Sequence, residues 1–244
     1  MKIETHSHSY HSFDSSAKIK DMITECTKKE INAIVLNDHD VYNLTEDEEN
    51  LFVENKVQII KAIEFTTNEG VHVIGIHNNI KKFQKEPYFY KSKDLVDLLI
   101  KSNSWILLPH PMHQTGIIGN LKISIEDSRY CLGKAHFIEK NNYRYGKTTN
   151  IEKIIKDFQN LKPLVGSDAH KASDIGVFYN EIENIDDDIF KSLYENEYKC
   201  IVTKERRKLY FFKMKIKKTK FYQFFLNKFS AEFRMKIKKK LGLI

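Results

Sequence analysis

Short runs of aliphatic and β-branched residues alternate with amphipathic segments through the first 203 residues of the chain. This alternation of the two periodicities predicts an α/β domain with a parallel sheet, either open or closed into a barrel. The predicted strands are Met1 to Thr5, Ala33 to Asn37, Val57 to Ile63, Val71 to Ile76, Trp105 to Leu108, Lys134 to Ile138 and Leu164 to Gly166.

Four of the amphipathic segments carry signals for the start of a helix. Capping residues and acidic first turns favour such starts because they satisfy the free amide groups of the first turn. The predicted helices begin after Ser15 and Ser16, after Thr45 with its acidic turn 46–48, at Ser92, and at a capping box of Thr149 and Glu152.

The formal net charge of +7 is unevenly distributed along the chain. Residues 1–203 contain 25 Lys and Arg against 31 Asp and Glu, a net charge of −6, whereas residues 204–244 contain 15 against 2, a net charge of +13. We therefore predict a folded domain over 1–203 and a basic C-terminal extension over 204–244. An acidic domain is poorly suited to long nucleic acid, whose phosphates are bound by Lys and Arg.

Composition also predicts the cellular compartment. The sequence has no apolar run of about 18 residues that could span a bilayer, and its first ten residues are polar rather than basic and then apolar. Its three cysteines, Cys26, Cys131 and Cys200, have no close spacing and are predicted to be packed thiols in a reducing environment. We expect a cytoplasmic protein.

The basic extension combines its charge with nine aromatic residues. Phe221, Phe225, Phe229, Phe233 and Ile237 are spaced four apart, which predicts a helix with an apolar stripe. Three roles remain open for it: a helix docked on the domain, a peripheral anchor on an anionic membrane such as the inner membrane face, or a single-strand nucleic-acid contact. The sequence indicates no obligate protein partner.

Histidines and carboxylates occur next to most of the predicted strands. Because reactive residues collect at the carboxyl ends of parallel strands, and residues i and i+2 of a strand share a face, these side chains are expected to converge. One such histidine alone is usually structural, and His11, His113 and His136 are interpreted in that way. The converging set is His6, His8, Asp38, His39, Asp40, Glu64, His72, His110, Asp168 and His170.

A site of clustered imidazole and carboxylate favours Zn, Mn or Fe over Ca or Mg, which prefer all-oxygen ligands. At this point the chain resembles the polymerase and histidinol phosphatase (PHP) domain superfamily, in particular its small stand-alone branch. The matching motifs, in family order, are His6-Ser7-His8 with Asp14 six residues on, Asn37-Asp38-His39-Asp40, Glu64 in Ala-Ile-Glu-Phe, His72 in Val-His-Val-Ile-Gly, Pro109-His110-Pro111 and Gly166-Ser167-Asp168-Ala169-His170.

The resemblance implies a distorted (β/α)7 barrel of the PHP type that binds two or three divalent metal ions. It implies that His6, His8, Glu64 and Asp168 hold one metal, that Glu64 bridges to a second held by His72 and His110, and that Asp14, His39 and His170 hold a third. The His-x-x-Gly context favours His72 over the neighbouring His77. Asn37 stands where the family has Thr, which should alter only a supporting hydrogen bond.

The implied activity is hydrolysis of a phosphate monoester or diester by metal-activated hydroxide, with a nucleotide or short oligonucleotide favoured as substrate. Asp38 or Asp40 would orient the water or His39, or would serve only as a cap or structural support. Lys81, Lys82, Lys85, Arg129 and Arg144 are candidates for phosphate contacts, or simply a solvated surface. The alternative function is a catalytically weak binding protein of the same fold that its basic extension recruits to membrane or nucleic acid.

Overall fold

A ten-stranded curled sheet organises the computed structural model, which describes residues 1–203. The strand order is β10-β9-β1-β2-β3-β4-β5-β6-β7, and β8 pairs with β6 away from this path. The strands are β1 Lys2–Ser7, β2 Ala33–Leu36, β3 Gln58–Thr66, β4 His72–Ile76, β5 Trp105–Leu108, β6 Phe137–Asn142, β7 Gly146–Lys147, β8 Lys162–Gly166, β9 Phe178–Ile182 and β10 Tyr198–Val202.

Seven of these strands, β1 to β6 and β8, form a distorted barrel, which confirms the predicted fold class. The barrel closes between β1 and β8 without a regular ladder of hydrogen bonds. A single bridge joins Ser7 to Ala169, and the Thr5 hydroxyl donates to the Val165 carbonyl at 2.8 Å. Asn180 of β9 adds side-chain bonds to the backbone of Val165, so a side chain replaces part of the missing ladder.

One barrel strand departs from the parallel arrangement that the sequence predicts. β4 runs antiparallel to both β3 and β5, because only five residues separate β3 from β4, too few for a parallel crossover. The reversal places the first residue of β4, His72, at the edge where its parallel neighbours end. β9 and β10, which the sequence analysis did not predict, also pair antiparallel, on the outer side of β1.

The helices pack on the outside of the sheet, and most follow a strand. Thr45 and Glu48 form the predicted capping box at the start of α2, whereas the capping box predicted at Thr149 does not form. There the helix begins after Asn150, which has left-handed backbone angles and no side-chain cap. The helices are α1 Ile19–Lys29, α2 Glu46–Glu54, α3 Ser92–Lys101, α4 Ile125–Lys134, α5 Ile151–Asp157 and α6 Ile189–Glu195.

Alternating residues of the strands divide the core into two layers. In β2, Ala33 and Val35 belong to one cluster of buried residues, while Ile34 and Leu36 belong to the cluster that includes the inner faces of α1 and α3. Phe190 of α6 packs in the first cluster. The two layers make the strands a rigid support for the residues at their ends.

The cysteines are unpaired, and burial raises the pKa of the Cys26 and Cys131 thiols to about 12, as expected of packed thiols. Within residues 1–203 no helix has the length and apolar character needed to cross a membrane. The predicted basic extension, residues 204–244, lies outside the described residues. The domain boundary and the three roles of the extension therefore stay predictions.

Candidate metal centre

The nine residues predicted as metal ligands all lie at one end of the barrel. Each position follows from the local fold: β1 and its loop, the loop after β2, β3, the reversed β4, and the loops after β5 and β8. Most of the side chains are buried although they are polar, which is costly unless each is bonded or bound to a cation. The nine predicted ligands are His6, His8, Asp14, His39, Glu64, His72, His110, Asp168 and His170.

Glu64 lies at the centre of the group. Its Oε1 is 2.9 Å from Nδ1 of His72 and 3.1 Å from Nε2 of His110. Its Oε2 is 3.2 Å from Nε2 of His6 and 3.1 Å from Nε2 of His8. One carboxylate therefore contacts four imidazole rings that come from three different strands or their loops.

The two short histidine motifs meet across the barrel seam. Nε2 of His6 lies 3.2 Å from Nε2 of His8, and Oδ1 of Asp168 lies 3.4 Å from the same His8 nitrogen. On the outer side, Oδ2 of Asp14 is 2.8 Å from Nε2 of His170 and 3.7 Å from Nε2 of His39. The structure thus brings every predicted ligand into one continuous cluster.

The ligand atoms form four overlapping groups in which all atoms lie within 4.8 Å of one another. One group, His6, His8 and Glu64, falls within the first metal set that the family resemblance implies, and the other three combine members of different sets. In particular, His39 is grouped with Glu64 and His72 as well as with His8 and His170. The groups are His8, His39 and His170; His6, His8 and Glu64; His6, His110 and Asp168; and His39, Glu64 and His72.

The carboxylates and the histidines shift each other's pKa values strongly. Burial opposes ionisation of Glu64 and Asp168, but the histidines around them hold both pKa values well below the usual range. Burial also lowers the pKa of His8, yet hydrogen bonds with Asp168 and Glu64 outweigh it and raise that pKa to about 9. For His39, burial dominates and lowers the pKa to about 3.

These side chains fit divalent cations by the chemistry of their donor atoms. Nε2 of His6 and Nε2 of His8 cannot both carry a proton and face each other at 3.2 Å, whereas both lone pairs can bind a cation. Nδ1 of His39, which is buried 3.6 Å from Oε2 of Glu64, also has no hydrogen-bond partner among the described residues. Buried carboxylates need positive charge nearby, and two or three divalent ions would supply it.

Asp38 and Asp40, predicted as candidate catalytic residues, are occupied by hydrogen bonds to the backbone and to hydroxyl groups. Asp38 accepts from the amide and the hydroxyl of Ser9, both at 2.6 Å. Asp40 accepts from the amide of Thr66 at 2.6 Å and from its hydroxyl at 2.8 Å. These contacts favour the structural interpretation, in which the two carboxylates hold the loops beside His8 and His39.

The remaining histidines have different positions. His77 packs against Phe83 and accepts from the amide of Asn79, so it lies apart from Glu64, and His72 occupies the place that the motif indicates. His11 pairs with Glu48, and His136 packs against Trp105. His113, interpreted as structural, borders the site: its ring lies 5.7 Å from the ring of His110.

Three backbone positions beside the site have left-handed angles that non-glycine residues seldom adopt. They are Asp40 with φ 59°, His110 with φ 29° and Asp168 with φ 50°. Such conformations cost about 1–3 kcal/mol each and persist only where surrounding contacts enforce them. The site is therefore held by its contacts in a conformation that the free chain would avoid.

The sequence analysis missed Glu139, which is fully buried and bonded to two of the predicted ligands. Its Oε1 lies 2.8 Å from Nδ1 of His6, and its Oε2 accepts from the amide of His110 at 2.6 Å. The signal was present, because Glu139 follows the apolar residues Phe137 and Ile138 of a predicted strand. No recognised motif surrounds it, and a single glutamate after a strand is not distinctive.

A rim of partly exposed side chains borders the cluster. Arg144 places Nη1 2.6 Å from Nε2 of His170, and its side chain is 38% exposed. Tyr145 stacks on His113 with ring centroids 3.9 Å apart and meets the edge of His110 at 4.9 Å. On another side, Phe13 is 85% exposed, and its ring centroid lies 5.2 Å from that of His39. The rim therefore combines a cation with aromatic rings.

Comparison with known proteins gives one family. Residues 4–205 match the model of the PHP domain. No curated protein sequence matches the chain significantly.

Three solved structures share the fold at low sequence identity. PsfC from Pseudomonas syringae has a TM-score of 0.60 and 16% identity over 88% of this chain and 96% of its own. A two-domain protein from Bacteroides vulgatus, containing a predicted PHP-like metal-dependent phosphoesterase, has a TM-score of 0.64 and 19% identity over 87% and 69%. Endonuclease Q, in complex with a 27-mer duplex substrate with an abasic lesion, has a TM-score of 0.63 and 17% identity over 81% and 57%.

Proposed function

The chain belongs to the PHP domain family, and on this premise we propose that it is a metal-dependent phosphoesterase. The observation that carries the proposal is the contact of the Glu64 carboxylate with four imidazole rings, at distances of 2.9 to 3.2 Å. A binding domain has no physical reason to bury and converge so many costly polar side chains. This argument favours the enzyme over the catalytically weak binding protein.

Nine residues would hold two or three divalent ions, with Mn, Zn or Fe as the candidates. Eight of them belong to the four groups described above: His6, His8, His39, Glu64, His72, His110, Asp168 and His170. The ninth, Asp14, contacts His170 and lies 3.7 Å from His39. When bound, such ions neutralise the charge of a phosphate ester and lower the pKa of a coordinated water.

Arg144 would bind the substrate phosphate through its guanidinium. It lies at the mouth of the cluster, with Nη1 2.6 Å from Nε2 of His170 and 3.9 Å from Oδ1 of Asp168. A guanidinium can donate two parallel hydrogen bonds to phosphate oxygens. Its position would orient the ester at the cluster.

The aromatic rim supports a nucleotide or short oligonucleotide as substrate. Tyr145 with His113, and Phe13 on another side, present aromatic rings next to ligand histidines. Stacking of a base on such a ring contributes about 1–3 kcal/mol per base. The domain charge of −6 argues against a long nucleic acid and leaves a short substrate.

Activity and metal dependence can be tested together. The purified protein is stripped with a chelator, reloaded with Mn²⁺ and assayed with an aryl phosphate monoester and with the corresponding diester. We expect turnover that requires metal and that His8→Ala or Asp168→Ala abolishes. The matched control is His77→Ala, because His77 lies outside the cluster and its loss should leave activity intact. The proposal is refuted if the metal-loaded protein hydrolyses neither aryl ester and no nucleotide.

Substrate class can be tested at the rim. Wild type is compared with Tyr145→Leu on a nucleoside monophosphate and on ribose 5-phosphate, which has no base. We expect Tyr145→Leu to raise KM about tenfold for the nucleotide alone, since about 1.4 kcal/mol of stacking corresponds to a factor of ten. Phe89→Leu, another exposed aromatic residue, is the control. An equal effect on both substrates would exclude base recognition by Tyr145.

The basic extension would place this cytoplasmic enzyme at an anionic membrane surface. The support is its sequence alone: a charge of +13 with phenylalanines at helical spacing. Flotation with anionic liposomes, comparing the full chain with a version that ends at Thr203, tests the proposal. Equal binding of the two would show that the extension is not the anchor.

A further inference from the structure

Glu139 is a fully buried carboxylate at the base of the cluster. Burying a carboxylate is costly unless its oxygens accept hydrogen bonds. Its Oε1 faces Nδ1 of His6 at 2.8 Å, and its Oε2 accepts from the amide of His110 at 2.6 Å and from Nδ2 of Asn142 at 2.7 Å. Both oxygens are therefore engaged, and their partners include two predicted ligands, His6 at the end of β1 and His110 after β5.

The contact with His6 determines which ring nitrogen is free. A carboxylate can only accept a hydrogen bond, so Nδ1 of His6 must carry the proton. Nε2, the nitrogen directed at His8 and Glu64, then keeps its lone pair for a cation. An imidazole held in this way by a carboxylate is also fixed in its ring orientation.

The contact with His110 acts on the backbone. The residue has a φ of 29°, outside the regions that are favourable for a non-glycine residue. A hydrogen bond from its own amide to buried Oε2 of Glu139 opposes relaxation of this angle. Glu139 therefore holds a side chain on β1 and a strained main chain after β5 at the same time.

Two neighbours support the same arrangement. Gly166 lies against Glu139, and a Cβ at that position would overlap Oε1 of Glu139 and Cβ of His6. Asn142 donates to Glu139 with its amide and accepts from the backbone amides of Arg144 and Tyr145 with its Oδ1. The network thus continues from the buried cluster to the rim.

We propose that Glu139 is a positioning residue that holds His6 in the Nδ1-protonated form and His110 in its strained backbone conformation, so that both rings are set to bind metal. The proposal rests on the metal centre of the proposed function but not on turnover. It is therefore tested by metal binding and by spectroscopy.

The test is Glu139→Gln, which keeps the shape but turns one oxygen into a donor that faces the donors around it. Chelator-stripped protein is titrated with Zn²⁺ by calorimetry. We expect about a 10- to 100-fold loss of affinity, the usual effect of removing a carboxylate that supports a ligand histidine. Glu69→Gln is the matched control, because Glu69 is bonded to Ser92 away from the cluster. We expect the Glu69→Gln protein to bind Zn²⁺ with wild-type affinity. Wild-type affinity of Glu139→Gln would overturn the proposal.

A measurement on the wild-type chain keeps the proposal testable if Glu139→Gln does not fold. In the Zn²⁺-loaded protein, the ¹⁵N signals of His6 report which nitrogen carries the proton. We expect a proton on Nδ1 and metal on Nε2, and the reverse assignment would overturn the proposal. If the wild type binds Zn²⁺ with this assignment yet hydrolyses no phosphoester, the proposed function fails and the role of Glu139 stands.

Discussion

Gly166 is the residue at which the site leaves least room. The Cβ of any other residue would overlap Oε1 of Glu139 and crowd His6. We expect Gly166→Ala to reduce the free energy of unfolding by about 1–3 kcal/mol, the usual cost of overpacking a core. Urea denaturation followed by circular dichroism measures the change. We also expect weaker Zn²⁺ binding, since the displaced groups are Glu139 and His6.

Gly133 is the matched control for this substitution. It lies in the last turn of α4, and a Cβ there meets nothing within 4 Å. Gly133→Ala should leave stability unchanged or raise it by up to about 1 kcal/mol through helix propensity. If the two alanine variants have the same stability, the crowding at Gly166 is not significant in solution.

His8 makes metal uptake dependent on pH. Its pKa is raised to about 9, mainly because hydrogen bonds with Asp168 and Glu64 outweigh the opposing effect of burial. Metal binds the unprotonated ring, so uptake below pH 9 must release this proton. We expect the apparent metal affinity to increase between pH 7 and pH 9 and proton release to appear in calorimetry with buffers of different ionisation enthalpy. A pH-independent affinity over that interval would contradict the expectation.

At the residue scale, the sequence predicted best where rare residue types occur in recognisable motifs. His6, His8 and Asp168 fall in such motifs, and the structure brings them together. Glu139 and Arg144 have no motif of this kind. Their place in the site depends on the pairing of β6 with β5 and β8, which local sequence does not encode.

Among the elements, α2 shows how much a single cap contributes. The Thr45 hydroxyl accepts from the Glu48 amide at 3.2 Å, and the Glu48 side chain accepts from the Thr45 amide at 3.0 Å. We expect Thr45→Ala to lower the free energy of unfolding by about 1 kcal/mol because it leaves an amide of the first turn unpaired. Chemical denaturation measures the loss.

Thr149 gives the corresponding control for that prediction. The sequence pattern is similar, with Glu152 three residues later, but α5 begins after Asn150 and has no side-chain cap. Thr149→Ala should therefore change stability by less than about 0.5 kcal/mol. A loss as large as that of Thr45→Ala would show that the capping box at Thr149 forms in solution.

The elements that sequence periodicity predicts are those with an apolar face. The strands around the barrel were found on this basis, although β6 extends to Asn142, beyond its predicted end at Ile138. β9 and β10 were missed because their residues are largely polar or half-exposed. The reversal of β4 was missed because periodicity does not encode strand direction; the short connection before it was the available signal.

Metal should stabilise the whole domain. The predicted ligands come from strands all around the barrel, so bound ions would link elements that are distant in sequence. With free metal at 100 times its dissociation constant, binding contributes about 2.7 kcal/mol, and we expect a chelator to lower Tm by about 5–10 °C. Differential scanning calorimetry measures the shift. His8→Ala should show a much smaller shift with the same chelator.

The seam between β1 and β8 has a consequence for the rate at which metal leaves. His6 and His8 lie on one side of the seam and Asp168 and His170 on the other, and one backbone bridge with a few side-chain bonds joins the two. Separation of these strands would pull the ligands apart together, so release is expected to follow local opening of the barrel rather than loss of one ligand at a time. Metal exchange should then be slow under native conditions and should accelerate in low concentrations of denaturant.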